Sequence, residues 1–309
     1  MATIANAEER ENSSNPKHTI WLEGKSDFSH MRKNRDMTYI AYVPAENVGL
    51  NVIKVETGDI YQVTDVFTGG SYFWSPDGAR LFYRELKSRD GVVTTSVKAW
   101  DAVVKKSVAI QDLAGSSGHL TFDPFENRLM MMHGKGILNR RLVFPDEKLA
   151  NWQMANRLNR GRFLASNGGM TFLTQNGFVM SKLIDDDSGV ESFDLSFKGD
   201  SMVWATKYGR IYLSKLGEAP KFIDYGRDPQ WHPSKAYFVY AGARMVGNKA
   251  ASYDLKVSSA FGTPAFLTNT QKADERWPFW SPDGQEIIFT ETGSKKLFKT
   301  KLVEAGFRE

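Results

Sequence analysis

Apolar residues in this chain fall in short runs with little alternation, separated by polar stretches rich in Gly, Asn, Asp and Pro. This pattern predicts strands covered on both faces rather than helices. The runs share a recurring frame: Trp74–Glu85 reads WSPDGARLFYRE, and Trp280–Glu291 reads WSPDGQEIIFTE. In the first, Pro76 pre-sets its own φ, Asp77 can accept hydrogen bonds from the backbone ahead of it, and Gly78 supplies a positive φ. Trp74 therefore ends one strand, a tight turn follows, and Leu81, Phe82 and Tyr83 start the next.

Weaker copies of the frame combine an aromatic residue, a proline two positions on, and apolar residues seven and nine positions on. Trp231-His232-Pro233 is followed by Phe238 and Tyr240, and Phe122-Asp123-Pro124 by Leu129 and Met131. Degenerate copies run through Leu164–Gly169 and Phe197–Asp200, and the poorest runs through Phe28 and Met31 into Tyr39–Val43. Spread over five repeats, the interval between the two full copies gives a period of about 41 residues, which is the length of a four-stranded propeller blade.

The expected fold is all-β: one seven-bladed β-propeller of four-stranded antiparallel blades over 18–309, after a disordered segment 1–17. The blades fall near 27–65, 70–112, 117–156, 161–193, 194–226, 227–269 and 275–303. The last repeat has three strands, IIFTE and LFKTKLVE being its final two. Thr19–Leu22, an apolar strand with no repeat of its own, is expected to close the ring as the missing strand over 18–23, because an open sheet edge templates aggregation.

Composition narrows the function classes. The chain has 309 residues, a formal net charge of +4 and no cysteine, with a pI near 9.0. Disulfides, thiolate metal sites and a cysteine nucleophile are excluded. The basic excess falls short of the concentrated charge of a nucleic-acid binder. No run of apolar residues is long enough to span a bilayer as a helix. The start, MATIANAEERENSSNP, lacks the basic and apolar regions of a secretory signal, and Ala5-Asn6-Ala7 has the small-x-small form of a cleavage site.

Through Trp74–Gly78 and Trp280–Gly284, the chain resembles the TolB-type, WD40-like propeller repeats of bacterial proteins, in which a W-S-P-D-G turn opens each blade. The resemblance implies a periplasmic or exported binding platform, with a cytoplasmic location as the alternative. Partners would enter a central channel or sit across one face. TolB itself is similar to a six-bladed ring preceded by an α/β domain, whereas seven repeats and no such domain are read here.

Sorting the loops by propeller end places Asp77, Glu126, Asp200 and Asp283 with the W-S-P-D-G turns. The other end collects Arg89, Arg157, Arg160, Arg227, Arg244 and Arg276 among its cations, together with the two longest loops, ELKSRDGVVTT and AGARMVGNKAA. These arginines are the candidate binding residues for an anionic ligand or an acidic protein or peptide partner. His30 and His232 sort to the W-S-P-D-G end.

No cofactor is expected, and the chain is read as a monomer with no transmembrane segment and no nucleic-acid partner. The enzymatic alternative rests on His119 and His133, expected to face each other across the turn at Phe122–Pro124. Two imidazoles can hold a transition metal if further ligands join them, and some seven-bladed lyases of related repeat type use histidine-bound metal to cleave acidic sugars. Asp185–Asp187 lacks the alternating spacing of a calcium loop and reads as a solvated turn. No G-x-S-x-G, phosphate-binding glycine loop or H-E-x-x-H helix is present.

Overall fold

The computed structural model describes residues 19–24, 26–44, 48–75, 77–115, 120–123, 128–133, 136–141, 153–154, 162–166, 169–173, 180–182, 189–198, 200–215, 218–259, 263–270 and 273–302. Over 121–182, only Leu129 and Met131 are described beyond their backbone. The strands, in chain order, are β1 (Thr19–Glu23), β2 (Ser29–Lys33), β3 (Tyr39–Val43), β4 (Leu50–Lys54), β5 (Ile60–Thr64), β6 (Tyr72–Trp74), β7 (Arg80–Arg89), β8 (Val92–Asp101) and β9 (Lys106–Ala114). They continue as β10 (Thr121–Asp123), β11 (Arg128–His133), β12 (Gly136–Arg141), β13 (Gln153–Met154), β14 (Arg162–Ser166), β15 (Gly169–Leu173), β16 (Met180–Lys182), β17 (Val190–Leu195) and β18 (Ser201–Thr206). The last are β19 (Arg210–Lys215), β20 (Lys221–Trp231), β21 (Tyr237–Val246), β22 (Lys249–Ser259), β23 (Ala265–Phe266), β24 (Glu275–Trp280), β25 (Glu286–Glu291) and β26 (Lys296–Lys301).

The sheets have the orders β2-β3-β4-β5, β6-β7-β8-β9, β10-β11-β12-β13, β14-β15-β16, β17 through β23, and β1-β26-β25-β24. Among the described residues all regular structure is strand. Two compact units divide the chain: one holds residues up to 46, 53–60 and from 191 onward, the other 47–52 and 61–190.

In the first unit, β1 lies antiparallel to β26, with Thr19 opposite Lys299 and Glu23 opposite Lys296. It is the fourth strand of the sheet whose own repeat supplies only three. Leu22, 1% exposed, packs with Phe28, Met31, Ile40, Tyr42, Phe279, Ile288 and Leu297. Two further clusters lie around Val239, Leu255, Trp280 and Phe289, and around Val203, Ile211, Trp231 and Tyr240. In the second unit, Phe82, Ala99 and Leu129 form one cluster and Val97, Leu120 and Met131 another. Strands such as β3 and β18 are buried at consecutive positions, as unalternating apolar runs require.

The W-S-P-D-G turns are alike in detail. Asp77 accepts from Ser75 Oγ at 2.5 Å and from the Ala79 amide at 3.1 Å, and Ser75 Oγ accepts from the Arg80 amide at 2.9 Å. Asp283 accepts from Ser281 Oγ at 2.5 Å and from the Gln285 amide at 3.0 Å, while Ser281 Oγ accepts from the Glu286 amide at 2.9 Å. Gly284 adopts φ +72, and a Cβ there would lie 2.2 Å from Nε2 of the buried His232 ring. Gly293, at φ +75, has nothing within 4 Å. Gly293→Ala should therefore cost only the left-handed strain, ~1 kcal/mol. Gly284→Ala should add an overpacking cost of ~1–3 kcal/mol. Urea midpoints of the two variants check the order.

Two features differ from the sequence expectation. The stretches read as long loops are hairpins: β7 and β8 meet across Asp90-Gly91, at φ 52 and 77, and β21 and β22 meet across Gly247-Asn248. Two-residue turns with positive φ match the twist of paired strands, so each ladder runs to its tip. Also, β20 pairs with β19 through Lys221–Tyr225 and with β21 through Gly226–Trp231, joining two four-stranded groups into one seven-stranded sheet. Gly226 permits this by close approach, since a Cβ would lie 2.5 Å from the Ala241 carbonyl oxygen.

Candidate functional site

Within the first unit, β2, β20 and β24 each carry a register shift, at Ser29/Arg32, Arg227/Gln230 and Arg276/Phe279. Inside each shift one non-glycine residue has positive φ: His30 at 49°, Asp228 at 55° and Trp277 at 50°. Such a conformation costs ~1–3 kcal/mol and persists where surrounding structure enforces it, characteristically at binding and switch sites. The bulges re-aim their side chains onto one another. The His30 and Trp277 rings lie 5.7 Å apart, and the Trp277 amide donates to Asp228 Oδ2 at 3.4 Å.

Two predicted arginines meet here. Arg276 Nε donates to Asp228 Oδ2 at 2.9 Å. Its guanidinium carbon lies 5.0 Å from the Tyr253 ring centre and 4.6 Å from that of Trp277. Arg227 pairs with Glu191 of β17, donates from Nε to Tyr253 Oη at 3.0 Å and from a terminal nitrogen to the Lys207 carbonyl at 3.2 Å.

Burial raises the Glu191 carboxyl, against the pull of Arg227. Burial works to lower Arg276, but Asp228 more than offsets it and the guanidinium ends above its ordinary value. His30 falls below the usual histidine range, chiefly through burial and then through Arg276, Arg32 and Arg227, against the pull of Asp228. On β17, Asp194 is pushed up to about 6 by burial, although Arg32 and the Trp231 amide favour its charged form.

Arg244 pairs with Asp254 and donates to Asn269 Oδ1 at 2.7 Å, in a network apart from the two arginines above. Arg89 stands at the tip of β7, 94% exposed and 3.7 Å from Asp90, in the other unit. Arg157, Arg160 and His119 lie outside the described residues, and His133 is described only as backbone of β11. The β10–β11 register pairs Thr121 with Met130 and Phe122 with Leu129. That is one position from the register expected to set His119 against His133. Among the described residues, no group of three or more His, Asp or Glu side chains is placed to hold a metal ion, and no helix is long and apolar enough to cross a membrane.

Sequence reasoning counted the cations without their partners. Glu191, Asp228 and Asp254 oppose Arg227, Arg276 and Arg244, so the local basic excess is smaller than the arginine count implies. His30, sorted to the opposite end, lies beside Trp277 because its repeat was the weakest and its register was read without the bulge. A signal was available: Arg227–Trp231 and Arg276–Trp280 share the frame Arg-x-Pro-x-Trp, with the strained residue at x before proline.

No family model matches the chain, and no curated protein matches it in sequence. Solved structures do. The chain is similar to the Swd1 (Cps50) β-propeller domain of Myceliophteria thermophila, with a TM-score of 0.63, 9% identity, and coverage of 93% of this chain and 100% of that one. A chain of a mitotic checkpoint complex gives a TM-score of 0.58 at 10% identity, covering 96% and 94%. An oligogalacturonate lyase from Vibrio parahaemolyticus gives 0.51 at 12%, covering 94% and 84%. At such identities the likeness establishes fold alone. That fold is all-β and of the WD40-like β-propeller type.

Proposed function

We propose that the protein is a non-enzymatic propeller scaffold that binds an acidic protein or peptide partner where the bulged strands β2, β20 and β24 meet. In this reading the sheets are seven blades of a TolB-type ring closed by β1 on β26, and the protein acts as a monomer outside the cytoplasm. The observation that carries it is the strain: three sheets each hold a non-glycine residue at positive φ, and all three residues lie in one cluster with Arg227 and Arg276. A structure assembled for stability alone gains nothing from three such costs at one place. A propeller chain belonging to a multiprotein assembly among the structural neighbours supports the same reading.

Immobilised protein is expected to retain an acidic partner from an extract of its source, and Arg227→Glu with Arg276→Glu should abolish retention. Undiminished capture by a folded double variant contradicts the reading. The likeness to a lyase favours one alternative, a metal-dependent polysaccharide lyase or hydrolase using His119 and His133. Elemental analysis separates the two. The scaffold is expected to carry no stoichiometric transition metal, whereas a metal lost on His119→Ala plus His133→Ala overturns the scaffold reading in favour of the alternative.

A further inference from the structure

Arg276 is held differently from the other two arginines. Asp228 anchors its Nε, and the Tyr253 and Trp277 rings lie against the guanidinium. Groups on β20, β22 and β24 thereby fix its plane. The side chain is 14% exposed, yet among the described residues its two terminal nitrogens make no hydrogen bond. Arg227 uses all three nitrogens, on Tyr253, Glu191 and the Lys207 carbonyl. Arg244 uses its Nε and a terminal nitrogen on Asp254 and Asn269. The buried Trp277 indole N–H also lacks a hydrogen-bond partner among the described residues. Donors without described acceptors therefore meet where the three bulges lie together.

Building on the scaffold reading, we propose that Arg276 is the residue that recognises a carboxylate of the partner, its two terminal NH2 groups forking onto the two carboxylate oxygens. Arginine is suited to this because its donors are coplanar and parallel, matching carboxylate geometry. With Nε taken by Asp228, the end of the guanidinium is the edge that remains. Its orientation is set before the ligand arrives, so less rotamer entropy is lost on binding. Charge selects the ligand class. Glu191 and Asp228 pair with the two arginines and Asp274 adds a further negative charge beside Arg276, so a singly charged carboxylate group suits the site better than a doubly charged phosphate.

The test follows the indole N–H signals of the full-length, ¹⁵N-labelled chain, which has eight tryptophans; Trp277→Phe assigns the relevant signal. Hexaglutamate, succinate and inorganic phosphate are the probes. The Trp277 signal is expected to shift saturably with both carboxylate probes. Arg276→Lys keeps the charge and loses the fork, and should weaken binding at least about tenfold. Arg244→Lys should leave it within about twofold. Hexaglutamate binding about tenfold or more tightly than succinate identifies an acidic segment as the carboxylate source, and equal affinity identifies a small acid; both uphold the fork.

Three results overturn it: Arg276→Lys titrating like the unmodified chain, phosphate binding more tightly than succinate, or no Trp277 response to either carboxylate. Should Arg276→Lys fail to fold, Arg276→Gln removes both the charge and the paired terminal NH2 groups at similar length, with the same expected weakening and the same overturning result. Partner capture without any carboxylate titration removes the fork alone. Titration without partner capture removes the scaffold reading alone.

Discussion

Raising the pH from about 4.5 to about 7 should destabilise the protein by on the order of 3 kcal/mol through Glu275. Glu275, at the start of β24, is 0% exposed, as is Asp254 on β22. Burial pushes its carboxyl up to about 7 against the hydrogen bonds from Thr268 and the Leu255 amide, and Asp254 pushes in the same direction as burial. The network explains why. Thr268 Oγ bonds Glu275, and Thr268 Oγ accepts from the Leu255 amide at 2.8 Å. Thr270 Oγ lies 3.2 Å from Asp254 and 3.1 Å from Glu275, so its single hydrogen cannot serve both carboxylates. A proton on Glu275 completes the chain from Glu275 through Thr270 to Asp254, which Arg244 neutralises.

Between the unfolded value near 4.5 and the folded value near 7, the native state therefore binds more protons than the unfolded chain. Stability is full below that window and falls as the pH rises through it. Asp194, raised to about 6, adds to the fall, while the lowered His30 and His232 oppose it, because the native state there binds fewer protons. Comparing the unmodified chain with Glu275→Gln isolates the one group. Urea midpoints should be similar at pH 5, and the variant should be the more stable of the two at pH 8. A variant that is the less stable of the two at pH 8 contradicts this account of the network.

Deleting residues 1–24 should lower the melting temperature by about 10 °C or more. The deletion uncovers the edge of β26, whose Lys296–Lys299 segment pairs with β1, and removes Leu22 from the core it shares with Phe279, Ile288 and Leu297. Loss of one buried leucine costs ~2–5 kcal/mol, and the exposed strand becomes a template for association with other chains. Leu22→Ala should reproduce the core term alone, with a smaller fall and no aggregation. A deletion that melts with the intact chain removes β1 from the structure's support.

The strand following each turn was legible because Trp-Ser-Pro-Asp-Gly fixes its backbone locally, through Ser75 with Asp77 and Ser281 with Asp283. The pairing of Thr19–Leu22 with the last repeat was legible by counting, since that repeat lacked one strand. The hairpin tips were missed although Asp90-Gly91 is a strong local turn signal, because their polar composition reads as loop. The ion pairs were not legible. Glu191 and Arg227, or Asp228 and Arg276, are remote in sequence and meet only through strand packing. The bulges of β20 and β24 fall between these cases: the Arg-x-Pro-x-Trp frame repeats at both, but its strained residue lies upstream of the tryptophan that precedes each turn, and the β2 bulge at His30 carries no such frame.

The binding reading needs β24 held in a sheet that β1 completes beside β26, and the absence of cysteine offers a clean test. Thr19→Cys with Lys299→Cys places two thiols on residues that face each other in the β1–β26 ladder. Partners in an antiparallel ladder have Cα atoms ~4.5–5.5 Å apart, within disulfide range. Mild oxidation should convert both thiols to an intramolecular disulfide and raise the melting temperature. Two thiols that remain fully reactive in the folded, oxidant-treated protein would contradict the pairing, and with it the four-stranded sheet that carries β24.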